Sequence, residues 1–273
     1  MAQLTQNAAD DPLGRSAGYS MAGLFLLAVA VGALAGYYKV ALIALIAFTA
    51  MCTGAALGYR AVGARVVWQA LDGVAGGAMI AAACILLLPQ AVALEPSFAG
   101  AGIAFGLLFG LVLHRACREQ AWRAGALGES SLIALTVHSA GAGVVIGMLY
   151  GRMPDLGLWL GAVIVAHKLP AGYAIARRLR AQGGALACVA LPACAVGVVA
   201  VPAALLTTGL PPSAPVGALC QGLAAGIFLH VGLECVSSEG PGGGSALRTP
   251  GWRFWLPVGL GMGLMLGVRV MAG

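Results

Sequence analysis

The chain reads as an all-α, polytopic membrane helix bundle, and three observations carry that reading. Hydrophobic residues fill 60% of its 273 positions and charged residues 9%, against roughly 25% charged in a soluble domain. Mean hydropathy is +0.94, and the apolar positions gather into segments of about 20 residues, the length a helix needs to span a bilayer. The 42 glycines fit helices packed in lipid, where small residues let backbones approach. No stretch remains for a sizeable soluble domain.

Met1 to Arg15 is polar, carries Asp10 and Asp11, and lacks the basic start and small-residue cleavage site of a signal peptide. Residues 1–18 are therefore expected to be a tail, and 19–37 to remain as an N-terminal span. Tyr37-Tyr38-Lys39 leaves room for a very short connection to the next span. Further spans are expected over 40–59, 69–90, 97–114, 129–150, 156–177, 184–207, 212–236 and 252–271. This divides the chain into a tail (1–18), an extra N-terminal span (19–37) and a core of eight spans (38–273). Trp159, Trp252 and Trp255 fall at span edges and read as aromatic anchors at the membrane interface. The glycine-rich stretch 240–245 is a flexible linker before the last span.

Basic residues set the expected orientation. Arg60, Arg65, Arg115, Arg118, Arg123, Arg177, Arg178, Arg180, Arg248 and Arg253 fall in alternate loops, whereas the other side holds Lys39, Arg152 and Arg269. That bias places the N-terminus in the cytoplasm and the C-terminus outside, as in a bacterial inner (cell) membrane protein. Net charge of +6 is thereby explained by topology and calls for no nucleic-acid partner. Seven cysteines, mostly inside expected helices, read as small apolar packing residues and not as a disulfide framework. No CxxC, HExxH, phosphate-binding GxxxxGK or nucleophile elbow occurs in a usable context. The chain is therefore not expected to be an enzyme.

Only four histidines and nine carboxylates occur, and ionisable groups at bilayer depth are costly enough to mark function. His138 and His167, in Val137-His138-Ser139-Ala140-Gly141-Ala142-Gly143 and Ala166-His167-Lys168-Leu169-Pro170-Ala171-Gly172, lie in apolar helices. Helical geometry puts Ala142 on the face of His138 and Ala171 on the face of His167. Pro170, which lacks an amide proton, is expected to kink or open the fifth core helix beside His167, and Gly141 and Gly143 to loosen the fourth. Imidazole is a borderline-soft ligand suited to zinc, copper, iron and nickel, and Met79 can add a thioether. The plainer alternative is polar glue, each imidazole bonding a neighbouring helix carbonyl.

At these residues the chain resembles the ZIP (Zrt/Irt-like) divalent-metal transporters. Their fourth helix reads HNxPEG or HSxxEG, similar to His138-Ser139 here, and one subfamily's fifth helix reads HKxPAA, similar to His167, Lys168, Pro170 and Ala171. The segment from Ala225 to Glu239, with His230, resembles that subfamily's seventh helix, and Met79 a ligand position on its second. The resemblance runs in span order over residues 40 to 271. It implies an eight-helix core and inward movement of a divalent metal, zinc foremost, as substrate, without nucleotide hydrolysis. The implied ligands are His138, His167, Met79 and Ser139, with Lys168 as charge modulator; partners are the ion and the bilayer, and a homodimer stays open.

The departures are informative. Ala142 and Ala171 stand where the family places metal-binding carboxylates, Leu191-Pro192 replaces the sixth-helix Glu-Pro, and Gly141 replaces the fourth-helix proline. A dication beside Lys168 is then poorly compensated, since two unit charges 4 Å apart interact by about 4 kcal/mol at an effective dielectric near 20. By the resemblance, Lys168 stands at the second metal position, where its ammonium replaces an ion; alternatively it marks lost transport and pairs with Asp72, Glu234 or a helix carbonyl end, or it is neutral, since buried lysines deprotonate readily. His230, Glu234, Cys235 and Glu239 form an expected exit cluster, since imidazole, carboxylate and thiolate together suit zinc, or else a solvated helix end. His114 is expected at an interface. The competing expectation is a ZIP-like protein that has lost transport and senses, scaffolds or carries another solute.

Overall fold

The computed structural model describes residues 12–60, 65–123, 127–152, 161, 163, 165–181, 184–211, 213–237 and 251–271, and all regular structure among them is helical. In order these are α1 (Pro12–Leu34), α2 (Tyr38–Tyr59), α3 (Arg65–Ala82), a π turn (Ala83–Leu87), α4 (Leu88–Leu94), α5 (Pro96–Arg123), α6 (Leu127–Arg152), α7 (Lys168–Ala181), a 3-10 turn (Leu186–Val189), α8 (Ala190–Thr208), α9 (Ala214–Ser237) and α10 (Gly251–Met271). Helix α1 reaches back to Pro12, into the stretch expected to be a tail. Helix α5 continues past His114 to Arg123, because the added residues are mostly good helix formers.

Among the described residues, four helical stretches are long and apolar enough to cross a membrane: Tyr38–Tyr59, Val66–Leu94, Leu186–Thr208 and Ala214–Val236. Shorter apolar helices cover Gly18–Leu34, Pro96–Val112, Leu135–Tyr150 and Trp255–Val270. Leu26, Leu27 and Leu34 on α1, Phe105 and Leu108 on α5, and Leu260 and Leu264 on α10 are more than half exposed, which suits an apolar solvent better than water.

Local signals account for the breaks. Gly36 takes φ +85, and the turn between α1 and α2 closes with Tyr37 N–H to Gly32 O at 2.8 Å and Gly36 N–H to Ala33 O at 3.1 Å. This is a Schellman ending, in which a left-handed glycine satisfies the last carbonyls. Pro89 cannot donate to the preceding turn; ahead of it the chain widens into the π turn, and Leu88 N–H bonds Ala83 O. Glu95 starts α5 by accepting the Phe98 N–H at 2.6 Å, a carboxylate well placed at a helix N-terminus.

Glycines spaced four apart seal the helix pairs. A Cβ at Gly54 or Gly58 on α2 would strike the Leu169 or Tyr173 carbonyl of α7, and one at Gly172 would strike Met51 O. Gly102 and Gly106 of α5 meet Gly222 and Gly226 of α9 in the same way, Gly143 and Gly147 of α6 meet Val196 and Ala200 of α8, and Gly77 of α3 meets Val258 of α10. This is the small-xxx-small packing of helices in lipid, where close van der Waals contact replaces hydrophobic drive. Between the pairs lies a core of Met79, Leu87, Ile146, Leu149, Val196, Ala224, Phe228 and Met265. Helix α1 packs on α2 and α8 through Phe25, which is buried against Gly197 and Ala44 and stacks on Phe48 with centroids 4.8 Å apart.

Candidate functional site

Helices α6 and α7 bring the two histidines together. The backbone of α7 is interrupted where Pro170 predicts: residues 165 and 166 are helical, His167 is a turn, and the helix resumes at Lys168. Pro170 then occupies the first turn, where a missing N–H forfeits no intrahelical bond, and the Ala171 N–H donates to His167 O at 3.1 Å. Helix α6, by contrast, runs unbroken through Gly141 and Gly143. The expected loosening does not occur, because Gly143 serves packing instead and admits the Val196 carbonyl of α8.

The imidazoles of His138 and His167 meet edge to face, with ring centroids 5.6 Å apart and planes at 89°. His167 is buried and His138 partly so. The residues next to them make a second bridge between the same helices: Lys168, fully buried, donates from Nζ to Ser139 Oγ at 3.1 Å. Ser139 is fully buried as well. A buried polar group without partners is costly, and the Ser139 hydroxyl supplies the lysine with a hydrogen-bond acceptor. The sequence pointed to Asp72, Glu234 or a carbonyl end as the partner of Lys168; its hydrogen-bond acceptor is Ser139.

Helix α9 supplies the next neighbour. Cys235 lies within electrostatic range of Lys168, and also of Asp72 and Glu234. The approach is close because Gly76 of α3 leaves space for the Cys235 Cβ and the Gly232 carbonyl. Of the expected exit cluster, His230, Glu234 and Cys235 lie on α9, successive helical residues pointing about 100° apart. His230 packs its ring on Gly110 of α5, and its Nε2 stands 3.8 Å from Glu234 Oε2, with side-chain exposures of 12% and 38%. Glu239 and the side chain of His114 lie outside the described residues.

Met79 is buried on α3 in the central core, against which Ala142 also packs. One arrangement carried no recognised sequence signal. Trp68 of α3 stacks on the buried Tyr173 of α7, with centroids 3.9 Å apart and planes at 14°. Arg177 donates to the Tyr173 hydroxyl at 3.2 Å and lies over the ring, while Arg180 donates to Tyr59 O at 2.7 Å. The one-turn spacing of Tyr173 to Arg177 is the trace this leaves in the chain.

Among the described residues, no group of three or more His, Cys, Asp and Glu side chains is arranged to hold a metal ion. The chemistry on offer is two facing imidazoles, a neighbouring ammonium satisfied by a hydroxyl, and alanines at the adjoining helical positions. No protein-family model matches the chain, and a comparison with curated proteins finds no match.

Proposed function

We propose that the chain is a ZIP-like membrane carrier that moves a divalent metal ion, zinc foremost, towards the cytoplasm through a site centred on His138 and His167. The observation that supports this most is the 5.6 Å separation of the two rings. Two imidazoles sharing one tetrahedral ion at zinc–nitrogen distances of about 2.0 Å have centroids roughly 5 Å apart, so a small closing movement makes the pair bidentate. The interrupted backbone at His167 supplies the place for that movement, and discontinuous helices are a recurrent feature of carrier sites. The ion is cargo, and loose coordination suits cargo: imidazoles completed by water release an ion more readily than a closed set of four protein ligands.

A second reading has its own support. With Lys168 buried beside the pair and alanine at positions 142 and 171, the protein is a repurposed relative that senses a metal or carries another solute. Zinc uptake into proteoliposomes holding the purified protein separates the two. Uptake that exceeds empty liposomes and vanishes in His138→Ala/His167→Ala supports the carrier. Zinc binding without uptake supports the sensor, and neither binding nor uptake removes the metal from both readings.

A further inference from the structure

We propose that Lys168 and Ser139 are a positioning pair that sets the spacing and tilt of the two imidazoles. The pairs are consecutive in sequence on both sides: His138-Ser139 on α6 faces His167-Lys168 on α7. One residue of each couple makes the ring contact and the other makes the hydrogen bond. Of the two contacts the bond is the more directional, because an edge-to-face ring contact tolerates a range of angles and distances, whereas a hydrogen bond weakens steeply away from its preferred distance and angle.

The position of the backbone break gives the tether its purpose. His167 is the turn residue, so the helix before it does not dictate its orientation, and α7 proper begins with Lys168. Anchoring Lys168 to α6 therefore fixes the first residue of α7 and, through the adjoining peptide, His167. The same first turns of α7 are held on α2, with Leu169 O at Gly54, Tyr173 O at Gly58 and Met51 O at Gly172, and the Lys168–Ser139 bond adds the link to α6. Cys235 of α9 lies within electrostatic range of the same side chain. Ser139 acts here as acceptor for the lysine and leaves metal binding to the imidazoles. The spacing claim is independent of the metal reading; only its consequence for affinity rests on that reading.

The test uses the full chain, with histidines labelled in carbon-13 and nitrogen-15, in lipid bilayers. Solid-state NMR of the parent should show a ring-to-ring cross-peak between His138 and His167, assigned by its loss in His138→Gln. Ser139→Thr keeps the acceptor and should retain the cross-peak; Ser139→Ala and Lys168→Met should lose it. Zinc affinity on the same samples should fall about 10- to 100-fold in the two latter variants, the usual effect of removing a partner that orients a ligand. A cross-peak that persists undiminished in Ser139→Ala and Lys168→Met, or that is absent from the parent, overturns the proposal. If Lys168→Met does not fold, Ser139→Ala decides alone, since it removes only one buried oxygen. A parent with the cross-peak but no zinc binding overturns the metal reading and leaves the positioning pair standing on the NMR result.

Discussion

The chain uses histidine in two contrasting settings. His230 and Glu234 sit one turn apart on α9, and their 3.8 Å approach follows from helical spacing alone; any helix with those residues would present them together. His138 and His167 meet because α6 and α7 are each held against other helices, α6 on α8 through Gly143 and Gly147, and α7 on α2 through Gly172. The first pair is local and its carboxylate is partly exposed, so side-chain entropy leaves it little energy. The second is tertiary and buried, and its geometry depends on glycines that never touch an imidazole.

That contrast predicts its own breaking points. The largest effect is expected from Gly172→Leu: the new side chain would strike the Met51 carbonyl, and overpacking against backbone should cost at least about 3 kcal/mol. The α6–α7 site should be lost with it, seen as early unfolding in a detergent melt and loss of zinc binding. Next, His138→Ala/His167→Ala should abolish zinc uptake into proteoliposomes while the protein elutes and melts like the parent; undiminished uptake would defeat the assignment of the site. Ala142→Glu adds a carboxylate one turn from His138, and calorimetry should register roughly tenfold tighter zinc binding, the equivalent of about 1.4 kcal/mol. Weaker affinity in a folded Ala142→Glu protein would mean that position 142 faces away from the imidazoles. The smallest effect belongs to Glu234→Gln, which should change stability by at most about 0.5 kcal/mol and leave uptake within about twofold, on the order of 0.4 kcal/mol. A larger loss of uptake would promote α9 to part of the route.

How much of this was legible in the chain follows the same division between local and tertiary. Apolar segment length pointed to an all-helical chain with helices long enough to cross a membrane, and Pro170 pointed to the interruption at His167, because both are properties of contiguous residues. The side-by-side placement of two histidine-bearing helices was expected from residue type and the ZIP resemblance. The Lys168–Ser139 bond was not expected: a serine beside a histidine gives no sign of which helix will offer it a donor. The continuity of α6 through Gly141 and Gly143 was missed because glycine weakens a helix in isolation, whereas here Gly143 gains a close contact with α8. The Trp68–Tyr173 stack lay equally out of reach, since its partners belong to helices that meet only when α2, α3 and α7 are assembled.

The seam between α2 and α7 has a mechanical consequence. With the carbonyls of Leu169 and Tyr173 seated at Gly54 and Gly58, and that of Met51 at Gly172, the two helices mesh like the teeth of a rack. Sliding α7 by one residue would drive its carbonyls onto the side chains that flank those glycines, and densely packed contacts resist continuous shear. Helix α7 therefore has no private motion along its axis: a shift that repositions His167 takes α2 with it, and the slack is left to the turn at His167 itself.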